Sequence, residues 1–115
     1  MMITPAEAIA ELDRTLDETG ETVILRRYTA PTGSPRPKTE VQIPAFVRPL
    51  EAEELAGDID SMFSNVIISP TYVAAFLPIV KGDKIVIDGK ERNVEVPKRY
   101  RMRGVLVRMK LMIGG

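Results

Sequence analysis

Val80–Ile113 reads VKGDKIVIDGKERNVEVPKRYRMRGVLVRMKLMI, and its succession of signals decides the fold. Lys84-Ile85-Val86-Ile87 is a β-branched run suited to a pleated, half-buried surface. Asp88-Gly89 follows at once. Asp-Gly between apolar runs marks a hairpin, because Gly89 takes the positive φ of a type I′ turn without steric cost. Whether that loop holds two residues or four, parity places Ile85 and Ile87 on the same sheet face as Val94 and Val96. Farther on, Val105, Val107, Met109, Leu111 and Ile113 alternate with Leu106, Arg108, Lys110 and Met112. This period of two predicts a strand with one buried and one partly wetted face; a helix would scatter the five around its circumference. The stretch is a β-meander of strand, turn, strand, basic loop and strand, with the rest of the chain built around it.

The 115 residues are one domain's worth, enough to bury a core without covalent staples. With no cysteine and no histidine, Ser-His-Asp and Cys-His sites are excluded, and so are thiolate and imidazole metal ligands. Net charge is zero but unevenly distributed. Residues 1–60 carry twelve Asp and Glu against six Lys and Arg, and residues 61–115 carry four against ten, leaving −6 and +6. Two readings follow: the halves face each other within one molecule, or the acidic side of one copy meets the basic side of the next. No apolar run approaches the ~20 residues of a membrane span, and the opening residues lack the pattern of a signal peptide.

Upstream, Thr4-Pro5-Ala6-Glu7 predicts a helix start: Thr4 caps, Pro5 suits the first position, and Glu7 completes a capping box. Ile9, Leu12 and Leu16 recur at helical spacing, and Gly20 ends the helix. The polar face is acidic, which favours the first turn and predicts a frayed last one. The helix either simply packs on its own barrel or lines or flanks a contact between subunits. Thr22–Tyr28 reads as a strand, and Pro31–Pro37 as an exposed loop, mobile unless something binds it. Alternation resumes over Thr39–Val47 through Val41, Ile43 and Val47, with Pro44 predicting an edge strand or a bulge. Pro49–Phe63 is acidic and irregular, with one or two helical turns possible before Gly57-Asp58. Asn65–Ile68 reads as a buried strand, and Ser69-Pro70 opens a short helix through Leu77 that Pro78 ends. The expected fold is thus mainly β: a small SH3-like or OB-like barrel or meander with an N-terminal amphipathic helix (residues 1–20), a second short helix, and long loops at 29–38 and 49–64.

Chemistry is sparse. Gly82-Asp83-Lys84 lacks phosphate-loop spacing, and Asp58-Ile59-Asp60 lacks the remaining ligands of a calcium loop. No carboxylate pair carries a sign of the burial that acid–base catalysis needs. No enzymatic activity, cofactor or metal is expected. The candidate contact residues are instead two charged segments: Glu51, Glu53, Glu54, Asp58 and Asp60 in the acidic stretch, and Lys98, Arg99, Arg101 and Arg103 around Tyr100 in the basic one. The basic segment suits a phosphate backbone, an acidic neighbour or plain solvation.

The order of elements, and locally Val80–Gly89 continuing to Val94 and the closing strand at Gly104–Gly115, resembles the head–tail joining (head-closure or stopper) proteins of long-tailed bacteriophages and prophages. The resemblance implies a small barrel with a helix. It implies a ring, usually of six and formed from free monomers, between the portal or adaptor of the head and the tail-terminator or tail proteins. Packaged DNA passes through its channel. It also implies synthesis in the host cytoplasm and residence at the head–tail junction of the virion. The Pro37–Pro49 segment and the outward Leu106/Met112 pair have no counterpart in that pattern. The Gly-Asp-x-Ile-x-Ile opening also resembles KOW-type or OB-like nucleic-acid-binding barrels, the alternative class.

Overall fold

In a computed structural model, which describes residues 3–49 and 63–114, the chain forms helix α1 (Pro5–Thr19) and strands β1 (Glu21–Tyr28), β2 (Lys38–Pro49) and β3 (Ser64–Ile68). Two 3-10 turns (Pro70–Tyr72 and Ala74–Phe76) then lead to β4 (Lys84–Ile87), β5 (Lys90–Met102) and β6 (Val105–Gly114). Among the described residues the six strands close into an antiparallel barrel in the order β1-β2-β3-β6-β5-β4. The protein is therefore mainly β, a small closed barrel with an N-terminal helix.

The Asp88-Gly89 turn is a two-residue hairpin with Ile87 opposite Lys90, and both turn residues have positive φ, 51° and 77°. Ile85 and Val94 face the core with no exposure, as parity demands. Val96 does not. Val94 pairs with Ile113 and the next pair is Val96 with Met112, so Glu95 is an extra, bulged residue. A bulge inverts the alternation beyond it, and Val96 is turned outward. A second bulge sits on β6. Tyr100 pairs with Arg108 and Arg101 with Leu106, leaving Val107 as the extra residue. Met109, Leu111 and Ile113 are fully buried as expected, but beyond Val107 the inward position passes to Leu106, and Val105 is exposed. The basic segment is not a loop either. β5 runs through Met102, and the turn is only Arg103-Gly104, again with positive φ (52° and 80°).

Val23, Leu25, Ile43, Val66 and Ile68 join those residues in the barrel core, and Val73, Phe76 and Ile79 close it from the 3-10 segment. That segment is two separate turns rather than one helix: Ser69 caps the first, accepting from the Thr71 N–H at 3.2 Å, and Val73 leaves helical geometry at φ −125°, ψ 21°. Closure of the barrel also means that β2 is no edge strand. Pro44 instead lies in the stretch Lys38–Ala45 that pairs with β1 alone, since β3 joins β2 only from Phe46 onward. There its missing N–H breaks no ladder with β3.

α1 packs against β6, β2 and the first 3-10 turn, beyond the point where β3 ends at Ile68. Thr4 caps it as predicted, its hydroxyl oxygen accepting from the Glu7 N–H at 3.1 Å, but the Glu7 carboxylate accepts from the Thr4 hydroxyl (3.1 Å) where a full capping box would take the Thr4 backbone N–H. Its last turn is intact, with Thr19 Oγ1 donating to the Thr15 carbonyl (2.9 Å) and the Gly20 N–H to the Leu16 carbonyl (2.9 Å). Gly20 ends the helix in extended backbone, φ −82°, not in the left-handed region. Space explains the residue: a Cβ there would lie 2.5 Å from the Leu16 carbonyl oxygen and 2.9 Å from that of Ala45. No helix among the described residues is long and apolar enough to cross a membrane.

Candidate functional site

Gly82-Asp83, the opening of the meander, is first a structural clasp. Asp83 is buried and takes a two-pronged contact from Arg27 of β1, Nε to Oδ1 at 2.8 Å and Nη2 to Oδ2 at 2.7 Å. The same guanidinium donates to the carbonyls of Phe76 (2.8 Å) and Pro78 (3.0 Å), and the Val80 N–H donates to Asp83 Oδ2 at 3.1 Å. One arginine thus ties β1, the 3-10 segment and the start of β4. The hydrogen bonds from Asp83 raise the Arg27 pKa further above its ordinary value.

Beside it, Arg26 bridges Glu40 of β2 (Nε–Oε2, 2.7 Å) and Glu91 of β5 (Nη1–Oε2, 2.7 Å), and the Tyr28 hydroxyl donates to Glu91 Oε2 at 2.6 Å. These bonds raise the Arg26 pKa, Glu91 contributing most. The Tyr28 hydroxyl, and after it Arg26, pull the Glu91 carboxyl below the usual range. A carboxylate held ionised in this way buttresses the barrel; a general acid at neutral pH needs the opposite shift. Among the described residues no three His, Cys, Asp or Glu side chains converge as metal ligands.

The predicted basic residues are divided by strand geometry. Lys98 and Tyr100 share one face of β5, opposite Lys110 and Arg108 of β6. Arg108 lies 4.5 Å from the Tyr100 ring centre, giving a cationic face with a stacked aromatic. Arg99 and Arg101 point to the other face, where Arg99 donates to the Ile79 carbonyl at 2.7 Å, and Arg103 stands in the turn. The structure therefore does not gather Lys98, Arg99, Arg101 and Arg103 into one patch. Glu51, Glu53, Glu54, Asp58 and Asp60 lie outside the described residues, as does the predicted helical turn near them.

A second cationic site escaped the sequence. Arg36, from the Pro-rich loop, sits 4.2 Å over the Tyr28 ring and donates to the Ala30 carbonyl at 2.6 Å, so that loop is held against β1. It joins Arg27, Lys81 and Lys84 around a cleft of about 350 Å³ whose remaining wall includes Val80 and Asp83. Lys84 also bonds to the Asn93 side chain. These cations are scattered over 58 positions between Arg27 and Lys84 and come together only because β1 pairs with β4. A local motif cannot report that.

Strands of the two halves pair with each other in the barrel, β1 with β4 and β2 with β3. The ion pairs that join them among the described residues are Arg26–Glu91 and Arg27–Asp83. Each takes a cation from the acidic half and an anion from the basic half, so each leaves the surplus on both sides larger. On α1 the exposed side chains include Glu7, Glu11, Asp17 and Glu18, followed by Glu21, with Arg14 contacting Glu11 at 3.6 Å.

Fold and surface define the class: a small closed β-barrel with a capping helix, carrying opposite charge on different faces. The chain matches no protein-family model and no curated protein.

Proposed function

We propose that this protein is a structural subunit of the head–tail connector of a long-tailed bacteriophage or prophage, joining the portal or adaptor end of the DNA-filled head to the tail as part of a ring. The observation that carries the reading is the order of elements: capped helix, strand, Pro-rich loop, strand, acidic stretch, then the Gly-Asp to Asp-Gly meander, realised as a closed barrel with the helix at its side. One feature supports it: the unlike charged faces suit contacts with neighbours of the same kind. The partners would be the portal or adaptor protein, the tail-terminator or tail protein, other copies, and the DNA in the channel. The test mixes heads and tails from the protein's own source with and without the purified chain. Tailed particles should form only with it; equal yields without it would refute the connector role.

One observation favours a second reading, a nucleic-acid-binding barrel: the face on which Lys98, Lys110 and Arg108 surround Tyr100. It predicts that the isolated monomer binds DNA or RNA with steep salt dependence, and that neutralising Lys98, Arg108 and Lys110 abolishes binding. The connector reading predicts negligible binding by the monomer.

A further inference from the structure

We propose that neighbouring copies meet through one defined pair of surfaces: the acidic outer face of α1 on one copy, seated on the Arg36–Lys81–Lys84 cleft of the next. The proposal rests on the reading of the chain as a ring subunit and supplies the contact that such a ring needs.

Both surfaces are made of described residues, and each keeps charged side chains outside the ion pairs among the described residues. Glu7, Glu11 and Glu18 recur at spacings of four and seven, which puts them on one stripe of the helix, with Asp17 and Glu21 beside it. Glu18 and Glu21 make no ion pair among the described residues, and neither does Lys81. The cleft's own carboxylate, Asp83, is occupied by Arg27 and the Val80 N–H, so the net field there is positive. Arg36 is preorganised by Tyr28 and the Ala30 carbonyl, which lowers the entropy lost on binding an anion.

The position of the two surfaces fixes the kind of association. α1 touches β2 and β6, the strands that flank β3, whereas the cleft is built on β1 and β4. In the closed order β1-β2-β3-β6-β5-β4, β4 stands directly across the barrel from β3. An acidic face on one side and a cationic face on the other cannot pair two-fold with themselves. They join head to tail, the arrangement that closes into rings. A protein surface also fits the cleft better than nucleic acid. Its wall includes Val80, 44% exposed, and the helix carries the exposed methyls of Ala6 and Ala10 beside the stripe.

Equal amounts of unlabelled and 15N-labelled protein, concentrated at low salt, would be treated with a carbodiimide, which joins an amine to a carboxylate in contact. Mass spectrometry should find mixed-isotope links from Lys81 or Lys84 to Glu7, Glu11 or Glu18, fading as salt shortens the Debye length to below about 10 Å. Arg36→Glu with Lys81→Glu, or Glu11→Lys with Glu18→Lys, should each cut the inter-copy product roughly tenfold or more. Mixing the two variants should restore it, with amine and carboxylate exchanged between positions 81 and 18. Circular dichroism checks that both fold. Links that run elsewhere, no inter-copy links at any concentration, or cleft lysines shielded by a DNA duplex but not by a second copy would overturn the proposal. If heads and tails join without the protein, the connector reading falls and this contact stands. If joining needs the protein but neither reversal affects it, the contact falls and the connector reading stands.

Discussion

Asp83 and Arg27, 56 positions apart, meet through two parallel hydrogen bonds of 2.8 and 2.7 Å, with the carboxylate 2% exposed and the guanidinium partly open to solvent. Three segments depend on the pair, β1, the 3-10 segment and the entry to β4, since Arg27 also holds the Phe76 and Pro78 carbonyls and Asp83 the Val80 N–H. Removing one partner leaves the other side's groups desolvated and unpaired, which costs more than the pair contributes net. Asp83→Ala should therefore destabilise the barrel by about 3 kcal/mol, and Arg27→Ala, which strands a buried carboxylate, by about as much or more. Urea midpoints at constant m-value measure both. A loss below about 1 kcal/mol for either would show that the clasp is ornamental.

The Glu91 network predicts acid sensitivity with a definite sign. The Tyr28 hydroxyl and Arg26 hold the folded-state pKa of Glu91 below its ordinary 4.5. The stabilisation is thus complete above that value and is lost as pH falls from there through the lower folded value. Glu91 is about a third exposed (33%), so solvent screens the contribution to about 1 kcal/mol. Glu91→Gln should be less stable than the parent at pH 7, with the gap narrowing as pH falls below 4.5, by thermal or urea melts. A gap that persists unchanged at pH 3 would place its origin in packing instead of charge.

Two glycines separate space from backbone conformation. Gly20→Ala meets the Leu16 and Ala45 carbonyls, both backbone and unable to retreat, at an ordinary φ. It should cost about 2 kcal/mol or more. Gly104→Ala has nothing within 4 Å but sits at φ +80°, so its cost should be about 1 kcal/mol, from the left-handed backbone alone. Paired melts decide this, and a reversed ranking would contradict the close approach of α1 to β2.

Much of the fold was legible because the residues that specify it act locally. Thr4 and Glu7 cap a helix, Asp88-Gly89 makes a turn, and Met109, Leu111 and Ile113 alternate inward whatever lies across from them. The errors fell where pairing decides orientation. Val94 and Val96 look equivalent in sequence, yet the extra residue Glu95 turns one in and the other out. Val107 does the same to Val105 and Leu106, and only the partner strand's register reveals either bulge. The candidate site was less legible still. Lys98, Arg99, Arg101 and Arg103 are adjacent in sequence but divide between two faces and a turn, while the cleft gathers Arg36, Lys81 and Lys84 from distant positions. Long-range pairing makes the one and breaks the other.

The β5–β6 ladder beside the second bulge tests whether its cationic face is built or merely solvated. There Tyr100 and Arg108 are directly opposed, with the guanidinium 4.5 Å from the ring centre. A cation over an aromatic ring at an exposed site contributes about 0.5–1 kcal/mol, comparable with a good cross-strand pair. In a double-mutant cycle, Tyr100→Ala, Arg108→Ala and the double substitution should give a coupling of about that size, and Arg108→Lys should keep only part of it, because the planar guanidinium is what stacks. The coupling should be largely insensitive to salt, unlike an exposed ion pair, since the ring carries no net charge to screen. A coupling within error of zero would mean that Tyr100 and Arg108 are independent surface residues, and the stacked cationic face would then lose its claim as a preformed platform for bases.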